Sequence, residues 1–163
     1  MRLSPMNQAL DVPASSTSRW VTFLLDGETY GIDVLQVQEV LRVAEVALVP
    51  GAPDYVLGII NLRGSIVTVV DSHRRFGVRP RQPDDATRII IVEAAEQVVG
   101  IVVDNVTGVV EVPHTAVEKA PNVGGQEKSR FIHGLCSRKE GLLILVDVNK
   151  LLSESEWNDL ETW

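Results

Sequence analysis

From Trp20 onward the chain alternates short apolar runs, rich in valine and isoleucine, with turn signals at Asp26-Gly27, Pro50-Gly51, Arg63-Gly64, Gly124-Gly125 and Glu140-Gly141. Runs of this length bounded by such pairs read as β-strands joined by tight turns. Many short strands at that spacing predict barrels or a sandwich rather than a parallel sheet. Met1–Ser18 has no such pattern. It carries Pro5, Pro13 and a Ser/Thr run at 15–18, and reads as a disordered N-terminal tail.

Helical signals are few. Asp33-Val34-Leu35-Gln36 has the form of a capping box and predicts a short helix to about Leu41. Valines at 34, 37, 40, 43, 46 and 49 recur every third residue, which an α-helix would rotate off one face, so extended chain is expected after Leu41. Asp71 and Asp147 each follow a strand and are placed to cap helical turns over 72–76 and 148–152. Ser153-Glu154-Ser155-Glu156 is a second capping-box pattern, predicting a C-terminal helix over 153–163 with Trp157 and Leu160 packed on one face.

The pattern also repeats. Arg19–Ile32 and Arg88–Ile101 share Arg, Gly and Ile at an offset of 69, and each reads as strand, polar turn, strand. Gly58–Asp71 and Gly134–Asp147 match at an offset of 76, with Gly and Asp at both ends and apolar pairs Ile59/Leu135, Ile66/Leu142, Val67/Leu143 and Val70/Val146. Two blocks in the same order predict two similar small barrels, each built from two hairpins.

Composition agrees with that picture and narrows the partners. A chain of 163 residues makes one domain or two small ones. Aromatics are 5% while valine and isoleucine number 36, which favours strands. A net charge of -7 argues against nucleic acid or an anionic membrane as partner, since both demand a basic face. Cys136 alone cannot form an internal disulfide and fits a reducing compartment. The longest apolar stretch, Val98–Val103, is far too short to span a bilayer, and Met1–Ser18 lacks the apolar block of a signal peptide.

Catalytic chemistry has little support. Asp71-Ser72-His73 contains the residue types of a hydrolytic triad, but neighbours in sequence do not converge as a triad must. His73, His114 and His133 show no metal-ligand spacing, so no metal or cofactor is expected. An enzyme using His73 or His114 as general base would need a polar pocket with a carboxylate in reach. A nucleic-acid-binding barrel would need a basic stripe with stacking aromatics. Two stretches look made for contact instead. Asn61-Leu62-Arg63-Gly64 reads as a hairpin tip that projects the Arg63 guanidinium outward, and Val37-Gln38-Glu39-Val40 mixes apolar residues with a carboxylate on the short helix.

At these residues the chain resembles the CheW family of chemotaxis coupling proteins. The matching pieces are Tyr30–Asp33, Val37–Val40, the Pro50–Gly64 run ending in Asn-Leu-Arg-Gly, Ile66–Asp71, Gly100–Asp104 and Leu142–Leu152. The resemblance implies a mainly β fold of two SH3-like five-stranded β-barrels packed together, over residues 19–152. The first barrel is expected at about 19–83 and the second at about 84–152, with exchange of segments allowed. It implies a non-enzymatic adaptor joining chemoreceptors to the histidine kinase CheA in the cytoplasm, at membrane-associated receptor arrays, or a scaffold of a non-flagellar chemosensory pathway. Implied partners are the regulatory domain of CheA, the cytoplasmic tip of the receptors and other family copies in array rings, without nucleic acid or membrane insertion. By motif, Val37, Glu39, Val40, Gly58, Asn61, Arg63 and Gly64 are the expected partner-binding surface, and Ile66, Ile101, Val106 and Val109 the expected receptor groove.

Overall fold

A computed structural model describes residues 16–42, 45–120 and 130–162. The predicted tail up to residue 15, Val43 of the valine series and the Gly124-Gly125 turn lie outside them. Ten strands account for most of the described chain: β1 (Thr17–Leu25), β2 (Glu28–Asp33), β3 (Val37–Arg42), β4 (Val56–Leu62), β5 (Ser65–Val70), β6 (Arg88–Ala94), β7 (Gln97–Val103), β8 (Asn105–Pro113), β9 (Ile132–Arg138) and β10 (Gly141–Val146). Among the described residues there are also two helices, α1 (Ser72–Phe76) and α2 (Glu154–Thr162), and three 3-10 turns. Among the described residues no helix is long and apolar enough to cross a membrane.

The strands form two five-stranded sheets with the orders β8-β1-β2-β10-β9 and β3-β6-β7-β5-β4. Both sheets curl and close in the same way. The chain beyond β3 returns at Ala47, which exchanges backbone hydrogen bonds of 2.8 and 2.9 Å with Ile59 of β4. The chain beyond β8 returns at Glu118, which exchanges two bonds of 2.8 Å with Leu135 of β9. The result is two five-stranded barrels, here A (β1, β2, β8, β9, β10) and B (β3 to β7).

The repeat offsets reappear as register. In barrel A the parallel pair β10 and β2 sets Val146 beside Ile32, and in barrel B the parallel pair β5 and β7 sets Val70 beside Ile101. Val146 lies 76 residues from Val70 and Ile101 lies 69 from Ile32, so both sequence offsets map one barrel onto the other. A division near residues 83 and 84 does not separate the sheets. β1 and β2 join β8 to β10 from the other end of the chain, while barrel B is the contiguous middle segment. Thr17 and Ser18, expected in the tail, pair with Pro113 and Val112 as part of β1.

Each barrel encloses a small core: Trp20, Val112, Cys136, Leu143 and Leu145 in A, and Ile60, Val67, Val69, Ile89 and Ile91 in B. The largest cluster lies between the barrels, where Phe23, Tyr30 and Ile32 of A meet Val70, Ile90 and Ile101 of B. Trp157 and Leu160 of α2 belong to this same cluster, so the C-terminal helix is part of the core and not an appendage. Its capping box forms as predicted: Glu156 N–H donates to Ser153 Oγ (3.2 Å) and Ser153 N–H to Glu156 Oε1 (2.7 Å). Asp71 and Asp147 also cap as expected, accepting from Arg74 N–H and Asn149 N–H.

The predicted helix after Asp33 is corrected. Asp33 accepts from Leu35 N–H at 2.9 Å and closes only a 3-10 turn, Val34–Gln36. Val37–Arg42 is strand β3, alternately half-buried and exposed, because its β-branched and apolar residues pair with β6.

Candidate functional site

The exposed end of barrel B gathers most of the residues singled out by sequence. At the β4–β5 turn, Arg63 (φ 51°) and Gly64 (φ 91°) both occupy the left-handed region, as a two-residue type I′ hairpin requires. Glycine takes that conformation freely, whereas for arginine it is disfavoured. Asn61 stabilises the turn by accepting Gly64 N–H at 2.9 Å through its side-chain oxygen.

Arg63 does not project free into solvent. Its guanidinium reaches back to strand β3 and grips Glu39 with both terminal nitrogens: Nη1 donates to Oε1 at 3.2 Å, and Nη2 donates to Oε2. A ladder irregularity explains the aim. Val37 pairs with Val92 and Glu39 with Ile91, so Gln38 is an extra residue, and the bulge re-orients the residue after it. The hydrogen bonds from Arg63, with its charge, hold the Glu39 carboxyl below its ordinary pKa and push that of the guanidinium up. The arginine side chain nevertheless remains 69% exposed. Its planar fork is fixed in direction by one carboxylate while still facing outward.

An apolar groove adjoins this end. Val49, Ile59, Ile66, Thr68 and Leu160 line a depression of about 410 Å³ on the outer side of β4 and β5. Ile66 is 63% exposed there and Leu48 is 78% exposed on the same loop as Val49. Val40, next to Glu39, is 40% exposed, while Val37 is half-buried against the core between the barrels. Sequence reading found Ile66 but missed Leu48, Val49 and Leu160. Their part in one surface depends on a loop and a terminal helix converging, which leaves no local pattern.

Gly58 has a different position. A Cβ built there would lie 2.4 Å from the carbonyl oxygen of Ala47 and 2.6 Å from Val46 Cγ1. The residue is buried against the bridge that closes barrel B, so what its hydrogen makes room for is the protein's own backbone. Ile101 is fully buried in the core between the barrels, and its place in an open groove is corrected: β7 lies between β5 and β6, and the residue is sealed by packing from both barrels. Val106 is half-buried against that core, and Val109 is 49% exposed on β8 of barrel A. These last two therefore lie apart from the barrel B end.

The residues considered for catalysis are occupied structurally. Asp71 caps α1 and the Ser72 hydroxyl donates to the Val70 carbonyl (3.4 Å). His73 Nε2 lies 2.8 Å from Asp104 Oδ1, with both residues buried. Asp104 Oδ2 also accepts Asp26 N–H at 2.8 Å. This network ties α1, which links β5 to β6 of barrel B, to the β1–β2 turn of barrel A. His114 is held through both ring nitrogens by the hydroxyls of Ser16 (2.9 Å) and Ser18 (3.0 Å).

Comparison with known proteins places this architecture. Residues 19–156 match the family model described as a CheW-like domain. The chain is 36% identical over 137 residues to the chemotaxis protein CheW of Klebsiella aerogenes, covering 84% of this chain and 82% of that one. It is 33% identical over 144 residues to the CheW protein of Treponema pallidum, covering 86% and 85%. Among solved structures, the scaffolding protein TtCheW of Thermoanaerobacter tengcongensis superposes with a TM-score of 0.76 at 33% identity, over 83% of this chain and 92% of that one.

Proposed function

The chain belongs to the CheW family of chemotaxis proteins, and on that premise we propose that it is a non-catalytic adaptor holding the kinase CheA to chemoreceptors. It works in the cytoplasm and joins membrane-associated arrays through the receptors it binds. Its partners are the regulatory domain of CheA, the cytoplasmic receptor tips and neighbouring copies of the family in array rings.

The observation that carries this reading is the Glu39–Arg63 pair at the end of barrel B. An arginine is held in a backbone conformation it disfavours, at an exposed turn, with its guanidinium fixed by a bidentate carboxylate. Such local strain points to a role beyond folding. Exposed Val40 and Ile66 flank it, giving the mixture of a fixed polar group and apolar surface that partner interfaces use. Val37, Asn61 and Gly64 shape the surface, Gly58 holds the barrel behind it closed, and Val106 and Val109 extend contact onto barrel A.

Reconstitution tests the reading. Receptor-bearing membranes, the CheA kinase of the same cell and this protein should together give kinase activity well above that of kinase and receptors alone. Arg63→Ala, folded to the same extent, should lose most of that gain. An equal gain with the variant, or no gain with the unaltered protein, contradicts it.

A further inference from the structure

The two barrels share one strand order and one kind of closing bridge, and differ in what lines one side. In barrel B, Ile89, Leu57, Val46 and Val102 fill one side of the barrel with an apolar cluster. Their counterparts in barrel A, by the offsets and the closing bridges, are Trp20, His133, Val117 and Asp33. There Trp20 and Val117 pack in the barrel A core, and beside them opens a cleft of about 300 Å³ that all four residues line together with Gln36, His114 and Asp147.

The polar groups of the cleft stand in a row set by strand pairing. Trp20 of β1 is the Cα partner of Asp33 of β2. Ile32 and Val146 are parallel partners, so the residues that follow them, Asp33 and Asp147, lie side by side at the strand ends. Each carboxylate accepts its own turn's N–H through Oδ1, from Leu35 at 2.9 Å and from Asn149 at 3.0 Å, leaving Oδ2 available. Trp20 is 5% exposed, and its indole N–H is buried without an acceptor. An unpaired buried donor is costly, and an incoming acceptor relieves that penalty. The ring of His133 lies against Trp20 with centroids 5.8 Å apart, walling one side.

These groups ask for a particular ligand. Two adjacent carboxylates want a cation, the indole N–H wants a carbonyl, and the aromatic wall suits an alkyl stem. Among the described residues no three His, Cys, Asp or Glu side chains gather closely enough to hold a metal ion. The net charge of -7 draws cationic partners and repels anions. We propose that the cleft receives a basic residue of a partner protein. Its guanidinium or ammonium group sits between Asp33 and Asp147, and its main-chain carbonyl accepts from the Trp20 indole. Two strand spacings, about 10 Å, separate the ends of the row, a span that an extended arginine covers once hydrogen-bond lengths are added. The inference stands on the cleft alone and does not depend on which partners barrel B engages.

The indole N–H resonances of the three tryptophans make the test direct. The full chain, labelled with nitrogen-15, is titrated with a capped pentapeptide bearing a central arginine and with the same peptide bearing norleucine. Trp20→Phe assigns its signal, and the Trp157 signal, whose N–H donates to the Asn149 carbonyl at 3.0 Å, reports that the fold is intact. The Trp20 signal should move saturably with the arginine peptide and not with the norleucine peptide. The pair Asp33→Asn and Asp147→Asn, which keeps both turn caps, should weaken binding roughly tenfold or more with unchanged melting. An unmoved signal overturns the proposal, as does equal binding by the norleucine peptide or by the double variant. Movement with free arginine or acetate but not with the peptide would also overturn it, marking a small-molecule site.

Discussion

Arg63 and Glu39 form a two-pronged ion pair between the tip of the β4–β5 hairpin and the bulged strand β3, with the arginine in the left-handed backbone region and largely open to solvent. An exposed pair contributes little to folding because water and salt screen it. Its evident effect is directional, since it fixes a guanidinium at the end of barrel B. Arg63→Ala and Glu39→Ala should therefore leave the melting temperature nearly unchanged while each weakens partner binding about fivefold or more. A double-mutant cycle should show strong coupling for binding and weak coupling for stability. A large loss of stability in either single variant would contradict this.

The same pair predicts a pH signature. The folded-state pKa of Glu39 is lowered, so the pair's contribution is fully present above the ordinary glutamate pKa and is lost as pH falls through the lowered one. Carboxyl titration by NMR should place Glu39 below the ordinary glutamate pKa and raise it in Arg63→Ala. An unchanged midpoint in the variant would show that the pair does not persist in solution.

Gly58 and Gly134 occupy matching places beside the two closing bridges, but with unequal room. At Gly58 an added Cβ meets the Ala47 carbonyl oxygen at 2.4 Å; at Gly134 it meets Val117 Cγ1 at 2.6 Å and the Glu118 oxygen only at 3.0 Å. Backbone cannot turn aside as a side-chain tip can. Gly58→Ala should cost about 2–4 kcal/mol in denaturant unfolding by breaking the bridge, and Gly134→Ala distinctly less. Equal costs would contradict the assignment.

Asp104 satisfies the His73 ring and the Asp26 N–H at once, across the junction of the barrels. Asp104→Ala deprives the buried His73 ring and the half-buried Asp26 N–H of this acceptor and should cost roughly 3 kcal/mol. Asp71→Ala, which removes only a helix cap, should cost about 1 kcal/mol. Chemical denaturation of the two variants separates these outcomes, and a reversal of their order would contradict the network's role.

The C-terminal helix should behave as core. Trp157 packs in the cluster shared by both barrels, and Trp157→Ala should cost about 3–5 kcal/mol. A variant that melts like the unaltered protein would show that α2 is dispensable.

Local chemistry made much of this fold legible. Tight turns such as Asp26-Gly27 and Arg63-Gly64, the caps at Asp71 and Asp147 and the box at Ser153 each act within a few residues, so sequence reports them directly. The offsets of 69 and 76 were readable because matching strands carry matching apolar positions. What stayed hidden was non-local. β1 and β2 pair with strands more than 70 residues away, which no turn signals. The Asp33 cap looks like a helix start, but the strand pairing of Val37–Arg42 with β6 overrides it. Ile101 shares its valine- and isoleucine-rich strand with exposed Val98, and only the sheet order shows Ile101 sealed. Glu39 and Arg63, 24 residues apart, were singled out separately, yet nothing in sequence joined them.

The most direct test of the adaptor reading is a calorimetric titration of this protein against the regulatory domain of the CheA kinase from the same cell. The account predicts saturable binding of modest, salt-sensitive affinity, weakened by Arg63→Ala while the variant's circular dichroism stays unchanged. Failure to bind any such kinase in that cell, or binding as tight with Arg63→Ala as without it, would contradict it.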